Sequence, residues 1–228
     1  ERNEGGISDS KDMSAYASEV VATYGFKTLK LKAGVLDPDE ELRTITQLRE
    51  QFPKAKLRVD PNGAWSIGTT LHFANQTRDL NLEYLEDPVW GLRGMARVNS
   101  QCPWLPIASN MSVATPDDFS SAIALEAVDV ILVDPHFYGG LRQARYAATT
   151  LELFQVDLSM HSQGEFGISM AAQLHLASVM PGLTYAADAH YHHLVDDIIS
   201  GGPINCEEGE MRVPSGPGLG VTLDRDKL

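Results

Sequence analysis

The feature that most constrains this chain is a repeat in which short β-prone apolar runs alternate with amphipathic stretches. Residues 28–33, 57–60, 82–86, 106–109, 128–134, 154–160 and 183–187 read as strands. Between them, 39–51, 67–78, 92–100, 116–127, 141–152 and 168–179 carry helical periodicity, and a further helix over 11–23 is expected to be capped by Ser8 or Ser10. Strands that alternate with helices at a nearly constant spacing imply parallel pairing through right-handed crossovers. That leaves a doubly wound sheet or a (β/α) barrel.

Polar residues at the strand ends choose between the two. Lys32, Asp60, Glu86, Asn110, Asp134 and His161 follow one another, strand by strand. In a barrel the C-terminal strand ends ring one mouth, so these side chains would converge, whereas an open sheet would spread most of them along a line. The expected fold is therefore α/β, a (β/α) TIM-type barrel. Its organisation reads as one domain over 1–228: a leading segment and first helix (1–24), the βα repeats (25–187) and a turn-rich tail (188–228) expected to hold a short hairpin.

The same residues suggest chemistry. Lys30 and Lys32 stand two apart on one strand, so their ammonium groups share a face. Asp60 in RVDPNGAW, Glu86 in YLEDP and Asn110 in IASNM form an all-oxygen set of the kind that suits Mg²⁺, or Mn²⁺. Asp134 in LVDPHFYGG and His161 in LSMHSQGEFG supply a carboxylate–imidazole pair that fixes the ring tautomer. A lysine, a histidine and a hard cation together describe abstraction of a proton next to a carboxylate.

Composition narrows the partners. The chain has 228 residues, 43% of them hydrophobic, and a net charge of −13 with no clustered Lys or Arg. A nucleic-acid or anionic membrane partner is therefore not expected. Two cysteines, Cys102 and Cys206, make no disulfide framework, and the start of the chain has no signal-peptide pattern, so a cytoplasmic setting is expected. Gly216, Gly218 and Gly220 lack the spacing of a phosphate loop. His72, His136 and His175 read as packed or surface residues, and the spacing of His190, His192 and His193 fits no fixed metal geometry.

The ordered set KLKAG, LRVDPNGAW, YLEDP, ASNM, VDPHF, MHS, DAH and PGLGV resembles the barrel domain of the acid-sugar dehydratases of the enolase superfamily, most closely the glucarate dehydratase branch. The resemblance runs over nearly the whole chain. It implies Mg²⁺-dependent dehydration of a C6 aldaric acid, with Asp60, Glu86 and Asn110 as metal ligands. Lys32 would be one base, and His161, paired with Asp134, the opposite base and the acid that releases the β-hydroxyl. Lys30, Asn62, Ser162, Gln163 and His190 would touch the substrate, a small acid sugar, and the full-length form would be a homo-oligomer. The resemblance also implies a capping domain and a first barrel strand before Glu1, and a substrate-binding arginine beyond Leu228, so that the isolated chain is expected to be unstable. Two departures bear on which sugar acid is used: Gln163 stands where the family has Asn, and Tyr138 where it has Trp. An epimerase using the same two bases, or a partial barrel that only binds an acid sugar or a partner subunit, are the alternative readings.

Overall fold

A computed structural model describes residues 9–228, which form two compact units, one running to Leu132 and the other from Val133 to the C-terminus. In the first unit, α1 (Ser10–Tyr24) precedes β1 (Thr28–Lys32), and strand–helix pairs follow: α2 (Pro38–Gln51), β2 (Lys56–Asp60), α3 (Ile67–Gln76), β3 (Tyr84–Glu86), α4 (Leu92–Asn99), β4 (Ile107–Ser109), α5 (Phe119–Ala124) and β5 (Val130–Val133). The second unit carries α6 (Leu141–Leu153), β6 (Asp157–Met160), α7 (Gly167–Ala177) and a small antiparallel pair, β7 (Cys206–Glu207) with β8 (Glu210–Met211). That pair is the hairpin expected in the tail.

The main sheet follows sequence order, and β1 to β5 pair in parallel, each with the next. Parallel sheets occur where both faces are covered, so their strands are buried along their length. Here β3, β4 and β5 are buried along their whole length, and β2 is buried after its first residue. Leu57, Val59, Leu85, Ile107, Val130 and Ile131 are essentially inaccessible and form the core on which the site rests. Each such side chain contributes about 1.5–3 kcal/mol relative to exposure, as an upper estimate.

Local chemistry sets the element boundaries. Asp9, not Ser10, caps α1, its carboxylate accepting from Lys11 N and Asp12 N; Ser8 lies outside the described residues. Ser10 is instead the first helical residue, its N–H donating to Glu40 Oε1 at 2.8 Å. Asp37 caps α2 ahead of Pro38, and three acids in the first turn complement the helix dipole. The stretch expected as a helix over 116–127 is a 3₁₀ turn, Pro116–Asp118, followed by the short α5; it stops where Glu126 adopts φ +49°.

The sixth strand starts three residues later than expected, at Asp157, because Gln155 turns the chain with φ +57°. The seventh expected strand, 183–187, does not form. An isolated bridge joins Leu158 to Leu183, and Asp188 N donates to Met160 O at 2.9 Å. Ala186 and Ala187 are exposed, so the segment has little apolar surface to bury by completing a ladder.

Candidate active site

The first unit gathers five of the expected residues at the C-terminal ends of β1, β2 and β3. Lys32 and Asp60 are register partners, as are Lys30 and Arg58, and then Arg58 and Tyr84. One face therefore carries a lower layer of Lys30, Arg58 and Tyr84, with Arg58 stacked 4.6 Å from the Tyr84 ring centre and paired with Glu83 at 2.6 Å. Above it stand Lys32, Asp60 and Glu86.

The two lysines do share a face, but their charges are met by carboxylates. Lys30 Nζ bridges Asp60 Oδ2 at 3.1 Å and Glu86 Oε2 at 2.7 Å. Lys32 Nζ also binds Asp60 Oδ2 and donates to Asn62 Oδ1 at 3.2 Å. Lys30 is largely covered, with its side chain 12% exposed, whereas that of Lys32 is 47% exposed and reachable from solvent. Asn62 sits in a left-handed conformation, φ +52°, pinned by its N–H to Asp60 Oδ1 at 2.9 Å.

These groups fit a hard divalent cation. Asp60 and Glu86 are both fully buried, and the single ammonium between them shows that one cation can reach an oxygen of each. Asn110 Oδ1 is buried with no hydrogen-bond partner, which is costly for an amide oxygen unless it has a ligand. Among the described residues no group of three or more His, Cys, Asp or Glu forms a metal cluster, so two carboxylates and this amide are the set on offer.

Asp87 was not singled out from the sequence. It is buried beside Glu86, and its carboxylate accepts from Ser109 Oγ, Asn110 N, Met111 N and Ser112 N. Burial pushes its carboxyl above the usual range, against the donors from Ser109, Met111 and Asn110. Three of the four donors are main-chain N–H groups, which cannot accept, so both carboxyl oxygens act as acceptors, while the Ser109 hydroxyl can donate or accept.

In the second unit, Asp134 lies just past β5 and His161 just past β6, and His161 N donates to Val133 O at 3.1 Å. Asp134 Oδ2 faces His161 Nδ1 at 2.9 Å. Its Oδ1 takes the His136 N–H at 2.8 Å and His136 Nδ1 at 2.7 Å. Burial acts to raise the Asp134 carboxyl, but hydrogen bonds from His161 and His136 outweigh it and hold the group below the usual carboxylate range. An ionised carboxylate only accepts, so both Nδ1 atoms carry the proton. His136 Nε2 then accepts from Ser169 Oγ at 2.7 Å. His136, read from sequence as a packed or surface residue, is half-exposed, and it shares the Asp134 carboxylate with His161.

Beyond His161, Ser162 donates its hydroxyl hydrogen to Glu165 Oε2. Glu165 Oε1 also takes Gln163 N and Gln173 Nε2, each at 2.9 Å. Ser162 and Glu165 are buried, while the Gln163 residue is exposed. His190 precedes a 3₁₀ turn, Tyr191–His193, with its ring 5.8 Å from that of His193. Cys102 is buried with its thiol on Val98 O, and burial raises that thiol to about 11, so no thiolate nucleophile is present there.

With this geometry in place, comparison with known proteins gives a family. The one described as enolase C-terminal domain-like matches residues 12–227. The chain belongs to the enolase superfamily. A probable glucarate dehydratase of Streptomyces coelicolor is 41% identical over 224 residues, which take in 98% of this chain and 51% of that protein. An L-Lys-D/L-Arg epimerase of Methylococcus capsulatus is 31% identical over 219 residues, 95% of this chain and 61% of that one. A crystal structure of an enolase from Pseudomonas fluorescens with bound magnesium, potassium and tartrate superposes with a TM-score of 0.95 at 38% identity, covering 99% of this chain and 53% of that one. The chain thus spans about half the length of the relatives with which this enolase-superfamily domain aligns. No described helix is long and apolar enough to cross a membrane.

Proposed function

We propose that this enolase-superfamily chain carries the catalytic groups of an acid-sugar dehydratase that removes water from a C6 aldaric acid. The observation that carries the reading is the oxygen set at the ends of β2, β3 and β4: buried Asp60 and Glu86 joined by one cationic centre, with the unpartnered Asn110 amide oxygen. Similarity to a probable glucarate dehydratase, and to an enolase structure that holds magnesium and tartrate, supports it. Asp60, Glu86 and Asn110 would hold Mg²⁺, or Mn²⁺ in its place, which would supply positive charge at the substrate carboxylate.

The chain's own residues do the rest. Lys32, half-exposed and positioned by Asp60 and Asn62, takes the proton from the carbon next to the carboxylate as the neutral amine, becoming the ammonium. The electron pair left behind forms the α,β double bond as the β-hydroxyl departs, and the departing oxygen collects the Nε2 proton of the His161 imidazolium to leave as water, the ring keeping its Nδ1–H on Asp134. His161 serves in this way because Asp134 holds its Nδ1–H and leaves Nε2 to face the substrate. The resulting enol becomes a 2-keto-3-deoxy acid. Lys30, Asn62, Ser162, Gln163 and His190 bind the carboxylates and hydroxyls.

The test is to incubate the full-length protein with Mg²⁺ and a panel of C6 aldaric acids, following semicarbazone formation and loss of the α-proton to deuterated solvent. A keto product from at least one acid, absent when Mg²⁺ is chelated, is expected. Exchange of the α-proton with no keto product would replace the dehydratase with an epimerase using the same bases, as the similarity to L-Lys-D/L-Arg epimerase allows.

A further inference from the structure

We infer that Asp87 is the residue that positions the cation-binding oxygens, acting as a clamp between strand ends without itself being a ligand. The inference rests on the reading of Asp60, Glu86 and Asn110 as a cation site. Asp87 immediately follows Glu86 at the end of β3 and turns the chain with φ +38°, a conformation that a non-glycine residue holds only when its surroundings enforce it.

What enforces it is a set of bonds running to both neighbouring strand ends. Its own N–H donates to Ala108 O in β4 at 2.9 Å, and its carbonyl accepts the Gly63 N–H from the loop after β2 at 2.6 Å. Its side chain reaches the loop that carries Asn110: Oδ1 accepts from Ser109 Oγ at 2.6 Å and Ser112 N at 3.3 Å, and Oδ2 from Asn110 N at 2.8 Å and Met111 N at 2.9 Å. Ser109 Oγ passes the arrangement on by accepting from Ser112 N at 3.0 Å. One buried residue therefore fixes the backbone beside each of the three oxygen donors.

The chemistry requires a carboxylate. Three main-chain N–H groups and a hydroxyl converge on it, and only a group that accepts at both oxygens satisfies all of them. An amide in its place keeps one acceptor for Asn110 N and Met111 N, but its NH₂ then faces the Ser112 N–H, and that side of the loop loses its acceptor. Both Asp87 oxygens are spent on this loop, which leaves the ligand role to Asp60, Glu86 and Asn110. Asn110 Oδ1 gains no fixing bond from the protein, so its position depends on the backbone that Asp87 holds. A shift of about 1 Å in a ligand oxygen is enough to spoil a hard-cation site, whose bond lengths are fixed to a few tenths of an ångström.

The experiment compares the intact wild-type protein with Asp87→Asn and Ser109→Ala, using Mn²⁺ as the probe, read by electron paramagnetic resonance, and hydrogen exchange at the amides of residues 110–112. In folded Asp87→Asn, Mn²⁺ affinity is expected to fall at least tenfold and exchange at Asn110, Met111 and Ser112 to rise at least tenfold. Ser109→Ala, which removes one donor and keeps the carboxylate, should move both in the same direction by less, and it decides the matter if Asp87→Asn does not fold. A merely structural role would lower the melting temperature and leave the Mn²⁺ affinity of the folded protein unchanged; that result overturns the inference. Wild-type protein that binds no Mn²⁺ overturns the cation site instead, and the exchange rates alone then decide the clamp, unchanged rates refuting it.

Discussion

Replacing Asp134 with asparagine tests how the second unit prepares its histidine. Asp134 Oδ1 receives two hydrogens from His136, one of them from the main chain, which has no alternative tautomer. In Asp134→Asn the amide oxygen must therefore take the Oδ1 place, and the NH₂ group faces His161 Nδ1, now 2.9 Å from Oδ2. To avoid a clash of donors, His161 has to move its proton to Nε2. A hydrogen bond to a charged group is worth about 1.5–3 kcal/mol, which corresponds to a tautomer ratio of roughly 10- to 150-fold. The variant also lacks the charge that stabilises the His161 imidazolium; in a His–Asp pair this loss and the inverted tautomer together cost turnover on the order of 10⁴-fold, and a loss of that order is expected here. Two-bond ¹⁵N–¹H couplings of the His161 ring read the proton position directly. If Asp134→Asn keeps the Nδ1–H form and full turnover, the argument that Asp134 fixes the ring fails.

The same substitution has a pH signature. The folded carboxyl lies below its ordinary value, so the stability it lends is present above the unfolded pKa of about 3.9 and is lost as pH falls through the folded one. Acid unfolding of the wild type should show this loss, and Asp134→Asn should lack that part of the slope.

Three further outcomes are expected. Asp60→Asn should weaken Mg²⁺ binding at least tenfold by calorimetry, and equal binding by the two proteins would remove Asp60 from the cation site. Glu83→Ala leaves the guanidinium of Arg58, a residue only 2% exposed, without its 2.6 Å partner, and urea unfolding should show a loss of about 3 kcal/mol with an unchanged m-value; a loss below 1 kcal/mol would mean that Arg58 finds another partner. Gly167→Ala would place a methyl 2.5 Å from Ile199 Cδ1 and 2.8 Å from Asp197 Oδ2, so thermal unfolding should report a destabilisation of about 1–3 kcal/mol, and none at all would show that Ile199 has room to turn aside.

The repeat was legible because buried parallel strands carry apolar residues: β3 to β5 are largely apolar, β2 alternates Leu57 and Val59 with Arg58 and Asp60, an acid or serine ends β2, β3 and β4, and Asp134 follows β5. Lys30, Lys32, Asp60 and Glu86 were legible for the same reason, since strand period places them on one face and the register makes Lys32 and Asp60 neighbours. What escaped was pairing. Residues 183–187 look strand-like, but forming a ladder depends on what the segment can bury, and its last two residues, Ala186 and Ala187, are exposed. His136 left a readable signal, because an aspartate two residues before it readily accepts its N–H in an Asx turn. Glu165 stands three residues after Ser162, a spacing known from helix caps, yet here it closes a loop ahead of α7. Asp87 was hidden by its neighbour: in an EDP motif the eye goes to one acid, and only the donors around each tell their tasks apart.

Those donors give a general way to sort the acids of this chain. The βα loops leave main-chain N–H groups unpaired, and a buried carboxylate satisfies several at once. Glu41 takes Val35 N and Leu36 N, Glu165 takes Gln163 N, and Asp197 takes Gly167 N and Ile198 N. Part of the acidic surplus is thus scaffolding, and an acid at a strand end is not in itself a mark of catalysis. The distinction lies in where the second oxygen goes. Asp87 and Glu165 commit both oxygens to their loops, so a cation or substrate could engage them only by breaking those loops. Asp60 commits Oδ1 to Asn62 N and turns Oδ2 to the ammonium groups of Lys30 and Lys32, while Glu86 shares Lys30 with it. A carboxylate that spends one oxygen on holding itself still and offers the other to positive charge is preorganised for a cation, and in the first unit that description fits the acid at the end of β2, with the acid at the end of β3 beside it.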